Sequence, residues 1–323
     1  MDHAVTGDAV HRGRLRQTRV LDGTRLAYRL VGQKQGPVYV LCDGISCDGF
    51  AWRYLEPALV AAGAQLLHIH YRGHGRSGLP PDHTRVTLPD LASDIDHLMG
   101  RLRLGPATLI GHSMGVQVTL ETAWRHPDRV RAMVLMCGSY GRVLDGFKGS
   151  DIGARLLPLV VKLARQYRGA VSRTLRAVLP TSLTYWLAAL GEIKGDKIRQ
   201  QDFMPYLEHF SRMPLDAFVT MLTDAHERTS LAFLPRLRQP ALVLAGADDT
   251  FTPPSSSELL ADRLPNADLV VIENASHTGP LEHPGRFNDA IMAFSTKHDL
   301  LTPNTAGPAM PPTLSERWRH ARK

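Results

Sequence analysis

Cysteine is scarce. The 323 residues include three, Cys42, Cys47 and Cys137, and none stands in C-x-x-C spacing. So few and odd a set excludes a disulfide framework and offers no thiolate metal site or redox pair; it suits a reducing compartment. Long apolar runs are also missing: no stretch reaches 18 residues, so nothing reads as a transmembrane helix. Residues 1–19 hold no cationic segment followed by an apolar one, so no secretory signal is expected and a cytoplasmic, soluble chain is. Dense Lys/Arg tracts are absent despite a net charge of +7, and no nucleic acid is expected as a partner. Disorder of the whole chain is excluded by its composition, 43% hydrophobic and 21% charged.

What is present is an alternation of strand-like and helix-like segments. Leu15–Leu21 and Thr24–Val31 flank the turn Asp22-Gly23 and read as a hairpin. Short apolar runs at Val38–Leu41, Gln65–His70, Ala107–Ile110 and Val130–Met136 read as buried strands. Helical patterns at Trp52–Ala62, Leu88–Leu104 and Met114–Arg125 lie between them. The alternation stops near residue 140, where only helical patterns continue to about 233. It resumes with strands at Ala241–Gly246 and Asp268–Ile272 and helices at Ser255–Arg263 and Pro284–Ser295. This is the pattern of a mostly parallel sheet flanked by helices, interrupted by one helical insertion. Residues 1–14 and the Pro/Thr-rich, basic stretch 299–323 are expected to be flexible.

One pentapeptide carries chemistry. Gly111-His112-Ser113-Met114-Gly115 is G-x-S-x-G, placed directly after a strand and directly before a helix. A strand-to-helix turn that sharp strains its central residue and needs glycine on either side. It also aims a helix N-terminus at the serine, where a negative oxygen would develop. A chance glycine-flanked serine in a turn would not need that context. His112 reads as a space-filling residue of the turn. A serine hydroxyl needs a base, and the base needs a carboxylate. Asp248 and Asp249 follow the strand ending at Gly246; His277 follows the strand ending at Ile272. His277 is the natural base, and one of the two aspartates is the acid.

These residues, with Asp43-Gly44-Ile45, Arg72-Gly73-His74-Gly75-Arg76-Ser77 and Pro280-Leu281-Glu282-His283-Pro284, resemble the α/β-hydrolase superfamily, in its subgroup with a helical cap. The resemblance covers roughly residues 15–297. It implies a core of 15–139 and 234–298, a cap of 140–233, and Asp249 rather than Asp248 as the acid. It also implies an oxyanion hole formed by the backbone N–H groups of Ile45 and Met114. Neither an organic cofactor nor a metal is implied. Two positions depart from the family pattern. Asp43 stands where His is common, and its carboxylate would oppose an oxyanion unless turned away and paired. His70 stands where Asp is common, and Cys47 is read as a bystander, with lining of the site as its alternative.

The function implied is hydrolysis of a carboxylic ester or related acyl compound by a serine nucleophile. Relatives that open epoxides or remove halide use Asp at the elbow, so those reactions are disfavoured. An acyltransferase, a cofactor-free haloperoxidase, a lactonase, a carbon–carbon bond hydrolase and a non-catalytic ligand-binding protein remain alternatives. Residues 140–233 hold 10 of the 21 aromatics, and Trp186, Phe203, Tyr206 and Phe210 are candidates to line a lipophilic substrate pocket. Residues 152–191 carry six cations and no acid. That pattern fits a solvated helix face, and it also fits peripheral contact with an anionic membrane.

Overall fold

A computed structural model describes residues 13–145, 150–185 and 198–302. Eight strands form one sheet: β1 (Arg16–Arg19), β2 (Arg25–Gly32), β3 (Val38–Cys42), β4 (Gln65–His70), β5 (Ala107–His112), β6 (Val130–Met136), β7 (Ala241–Gly246) and β8 (Ala267–Ile272). Their spatial order is β1-β2-β4-β3-β5-β6-β7-β8. β1 and β2 pair antiparallel, as do β2 and β4; every later pairing is parallel. Strands β4, β5 and β7 are buried along their whole length. Helices cover both faces, so these strands are buried on both sides rather than on alternate residues, with Gln65, His68 and His70 of β4 buried beside their apolar neighbours.

The two faces of the sheet feed separate cores. On β3, Val40 and Cys42 point into one, packed by α2 (Leu88–Arg101) and α3 (Met114–Arg125). Tyr39 and Leu41 point into the other, packed by α1 (Leu55–Ala61) and by the helix at the end of the domain. Strand period two produces this division.

The helix expected over Trp52–Ala62 is two pieces, a 3₁₀ turn at Phe50–Trp52 and α1. Pro57 is the reason. Proline lacks an N–H and is tolerated only in a helix's first turn, so α1 starts at Leu55, two residues before it. Similarly, α2 ends at Arg101 rather than Leu104, because Arg103 adopts a left-handed conformation, φ 54°.

Between β6 and β7 the described residues contain no element of the sheet. They form α4 (Ile152–Gln166), α5 (Arg168–Val178), α6 (Gln200–Arg212) and α7 (Leu215–Glu227). A bridge between Gly141 and Thr229 pins the two ends of this insert together. The chain then returns through β7, α8 (Pro254–Arg263), β8, the single turn α9 (Gly279–Glu282) and α10 (Pro284–Lys297). Loops after β5, β7 and β8 all emerge at the same, C-terminal edge of the sheet, the usual place for a site in such a fold.

Candidate active site

The turn after β5 is the sharp one that G-x-S-x-G requires. Ser113 sits at φ 57°, ψ −123°, a conformation that costs roughly 1–3 kcal/mol and persists only where its surroundings enforce it. The flanking glycines permit it. A Cβ on Gly115 would lie 1.9 Å from the Cys42 carbonyl oxygen, and one on Gly111 would lie 2.2 Å from that of Gly115.

The structure brings Ser113, His277 and Asp249 together. Ser113 Oγ is 3.0 Å from His277 Nε2, and His277 Nδ1 is 3.0 Å from Asp249 Oδ2. Asp249 is buried; Asp248 is exposed. Four donors fix the Asp249 carboxylate. Oδ1 accepts the backbone N–H of Phe251 at 2.9 Å and of Thr252 at 2.8 Å; Oδ2 accepts the Thr252 hydroxyl at 2.8 Å besides the imidazole. Burial opposes its charge, but His277 and the Thr252 hydrogen bonds outweigh burial and hold its pKa below the ordinary carboxylate range. The Phe251 ring stacks on the imidazole, centroids 5.0 Å apart.

Three supporting contacts were invisible in the sequence. Glu282 closes the His277 loop by accepting the Ser276 N–H at 2.7 Å, the Ser276 hydroxyl, and the Thr278 hydroxyl at 2.8 Å. Thr252 grips Asp249. His112 does more than fill space: its Nε2 lies 3.0 Å from the His277 carbonyl oxygen and donates to it. The motif containing Glu282 is visible in the sequence, but its partners Ser276 and Thr278 lie on a turn whose shape only the fold reveals.

The loop after β3 faces the serine. Ile45 and Met114, whose N–H groups are the expected oxyanion donors, line the same cavity as Ser113 and His277. Asp43 turns away, as its chemistry demanded. Its oxygens are taken by Trp52 Nε1 at 2.6 Å and His68 Nε2 at 2.7 Å. Behind His68, Arg29 donates to Nδ1 at 3.1 Å and pairs with Glu56 at 3.3 Å, both buried. Burial again opposes the Asp43 charge, and His68 with Trp52 outweighs burial to lower its pKa. The next turn is held from below: Ser46, at φ 61°, donates its N–H to His74 Nε2 at 3.1 Å. The Arg-Gly-His-Gly loop thus props the segment that carries Ile45. His70 lies under the same loop, where a Cβ on Gly75 would strike its ring at 1.9 Å.

Two largely apolar cavities meet at Ser113. One, about 260 Å³, is lined by Val143, Leu144, Phe218, Leu222 and Ala225. The other, about 280 Å³, is lined by Cys47, Phe50, Leu179, Phe203 and Leu207. Tyr206, Phe210 and Phe251 border both. Of the aromatic candidates, Phe203, Tyr206 and Phe210 line these cavities, and Trp186 lies outside the described residues. Cys47, expected to be a bystander, lines the second cavity; burial pushes its thiol well above the ordinary range, which keeps it inert. Among the described residues no three His, Cys, Asp or Glu side chains group as a metal site.

The buried imidazoles around the site make stability depend on pH. Burial first, then neighbouring His68, pushes His70 down to about 3; burial and His209 push His74 to about 4; burial and His277 push His112 to about 4. In the unfolded chain each would bind a proton near pH 6.5. As pH falls below that value the unfolded state gains protons that the folded state refuses, so stability is full above about pH 6.5 and drains toward pH 4. Each imidazole removes up to roughly 3 kcal/mol over that window. Asp43 and Asp249, with lowered pKa, add their loss only below about pH 4. Urea midpoints should be level above neutrality and fall steadily from pH 6.5 to 4; a midpoint that stays flat across that window contradicts this account.

Residues 37–284 match the family model described as alpha/beta hydrolase fold. Among curated proteins, the chain is 34% identical over 303 residues to Bifunctional epoxide hydrolase 2 of Rattus norvegicus, covering 85% of this chain and 54% of that protein. It is 36% identical over 111 residues to Bifunctional epoxide hydrolase 2 of Sus scrofa, 34% of this chain and 20% of that one. The chain thus spans from a fifth to about half of these relatives. Among solved structures, a hydrolase from Pseudomonas aeruginosa PA01 superposes with a TM-score of 0.70 at 25% identity, over 88% of this chain and 99% of that one. The match to the family model covers well over half of the chain, and the chain belongs to the alpha/beta hydrolase fold family.

Proposed function

We propose that the chain cleaves a lipophilic carboxylic ester, or a related acyl compound, through an acyl-enzyme on Ser113. Ser113 Oγ attacks the carbonyl carbon while His277 Nε2 takes its proton. The carbonyl oxygen becomes an oxyanion held by the N–H groups of Ile45 and Met114, each donor worth about 3–4 kcal/mol in such sites. Asp249 fixes the imidazole's orientation and stabilises its cation. The tetrahedral carbon collapses, the alcohol leaves with the proton from His277, and water activated by the same imidazole releases the acid. The observation that carries this reading is the unbroken run of contacts Ser113 Oγ–His277 Nε2 and His277 Nδ1–Asp249 Oδ2, both 3.0 Å.

Epoxide opening, suggested by the names of two relatives, fits this nucleophile poorly. A carboxylate that opens an epoxide forms an ester, which water can cleave. A serine oxygen would form an ether, which this machinery cannot cleave, so the enzyme would stop after one turnover. Residues 140–233 act on this reading as a cap that supplies the apolar walls. An apolar cavity of about 150 Å³ accepts benzene, so the two cavities of about 260 and 280 Å³ each suit roughly ten heavy atoms, one for the acyl and one for the alcohol part.

The test is kcat/KM on p-nitrophenyl esters of graded acyl length. It should rise from acetate, peak at a medium chain and fall for long ones. Leu222→Trp, which fills the first cavity alone, should move the peak by several carbons or leave it in place, according to which cavity takes the acyl chain; Leu207→Trp should do the reverse. If neither variant moves the peak, or no ester is cleaved, the reading is wrong.

A further inference from the structure

Of the thirteen exposed large hydrophobic side chains among the described residues, eight lie between 152 and 183. Five of them, Ile152, Leu156, Leu159, Val160 and Leu163, belong to α4 and are 43–62% exposed. Their spacing of three and four residues places them on one stripe of the helix. The opposite side, with buried Leu157, packs inward. Helical periodicity puts Arg155 and Lys162 along one flank of the exposed stripe. Soluble proteins seldom leave so contiguous an apolar stripe in water without a use for it.

We infer that α4 and α5 form a docking face for an anionic lipid surface, with α4 lying in the plane of the headgroups. Charge selects this occupant. Residues 152–191 carry six cations and not one acid. On α5, Arg173 and Arg176 are exposed, while Arg168 reaches Asp216 of α7 at 3.5 Å. A second copy of the chain meeting this face would bring cations against cations; a membrane of anionic lipid meets the apolar stripe with acyl chains and the cations with phosphate. The contact is peripheral, because among the described residues no helix is long and apolar enough to cross a membrane.

The face also adjoins the site. Gly153, at the start of α4, lies near Leu144, which lines the first cavity: a Cβ on Gly153 would sit 3.9 Å from the Leu144 carbonyl oxygen. Leu179, the residue after α5, lines the second. A lipophilic substrate dissolved in the membrane would reach either cavity along the edge of α4 or α5 without crossing water. Only this purpose rests on the ester-hydrolase reading; docking itself can be measured without turnover.

The experiment is sedimentation of the full chain with vesicles of phosphatidylcholine alone or with phosphatidylglycerol added, at low and high salt. Binding to the anionic vesicles at low salt, at least about tenfold stronger than to the neutral ones and weakened by salt, is the expected result. The triple variant Leu156→Ser/Leu159→Ser/Leu163→Ser should lose at least about tenfold of that binding. Arg155→Gln/Lys162→Gln/Arg165→Gln should lose most of the preference for anionic lipid, at about fivefold per cation. Both variants should keep wild-type turnover of a water-soluble short ester if that activity exists, and a wild-type circular dichroism spectrum whether or not it does. No binding to anionic vesicles, equal binding to both lipids, or a dimer in sedimentation velocity that the leucine variant makes monomeric would each overturn the proposal.

Discussion

Replacing Asp249 by Asn should lower kcat/KM about 10⁴-fold while leaving the fold intact. The reason is in the donors around the carboxylate. Oδ1 accepts two backbone N–H groups, from Phe251 and Thr252, so the Asn carbonyl oxygen must occupy that place. The Asn NH₂ is then driven to the Oδ2 place and aimed at His277 Nδ1. That nitrogen becomes the acceptor, the ring proton moves to Nε2, and Nε2 can no longer take a proton from Ser113. Asp248→Asn, one residue away but exposed, should change the rate by less than about threefold. The pair of variants, compared on one ester, separates the acid from its neighbour. Equal losses in both would mean that net negative charge near the imidazole, and not the hydrogen bond from one placed carboxylate, is what matters.

Ser113→Ala should have the larger effect, a loss of about 10⁵–10⁶-fold, with a residue of activity above uncatalysed hydrolysis owed to the oxyanion donors and substrate binding. Relief of backbone strain does not accompany it, because alanine carries the same Cβ into φ 57°. Its melting temperature should therefore stay within a few degrees of wild type. A double variant Ser113→Ala/Asp249→Asn should be scarcely slower than Ser113→Ala alone, since the three groups act as one unit. Additive losses would show that Asp249 works through some route other than His277.

How much of this was legible in the sequence depended on how local each signal was. The elbow is local: five residues, a strand before and a helix after, all within reach of pattern reading. His277 and an aspartate at 248 or 249 followed from chain order, because the loops after β7 and β8 open at the same sheet edge as Ser113, and the choice of Asp249 rested on the family resemblance. The outward turn of Asp43 could be deduced without knowing its partners, since a bare carboxylate beside an oxyanion is untenable. The partners themselves could not be read. Trp52 is 9 residues from Asp43, His68 is 25, and Arg29 reaches back to Glu56 across 27; nothing in a sequence marks such pairings. His112 meets the His277 carbonyl across 165 residues. Pro57 was visible and its consequence was missed: the apolar periodicity ran through it, while its missing N–H decided where α1 begins. The helical insert was legible as helices, but not which side of α4 faces outward, because Ile152, Leu156 and Leu159 would serve a core equally well.

The central claim is that Ser113 is an activated nucleophile. Treatment with a fluorophosphonate, which phosphonylates serines only when their hydroxyl is made nucleophilic, followed by mass measurement of the intact protein and of its peptides, tests it most directly. The account predicts one adduct per chain, on Ser113, abolished by Ser113→Ala and strongly slowed by Asp249→Asn. An unmodified chain, or an adduct that survives in Ser113→Ala, would contradict it.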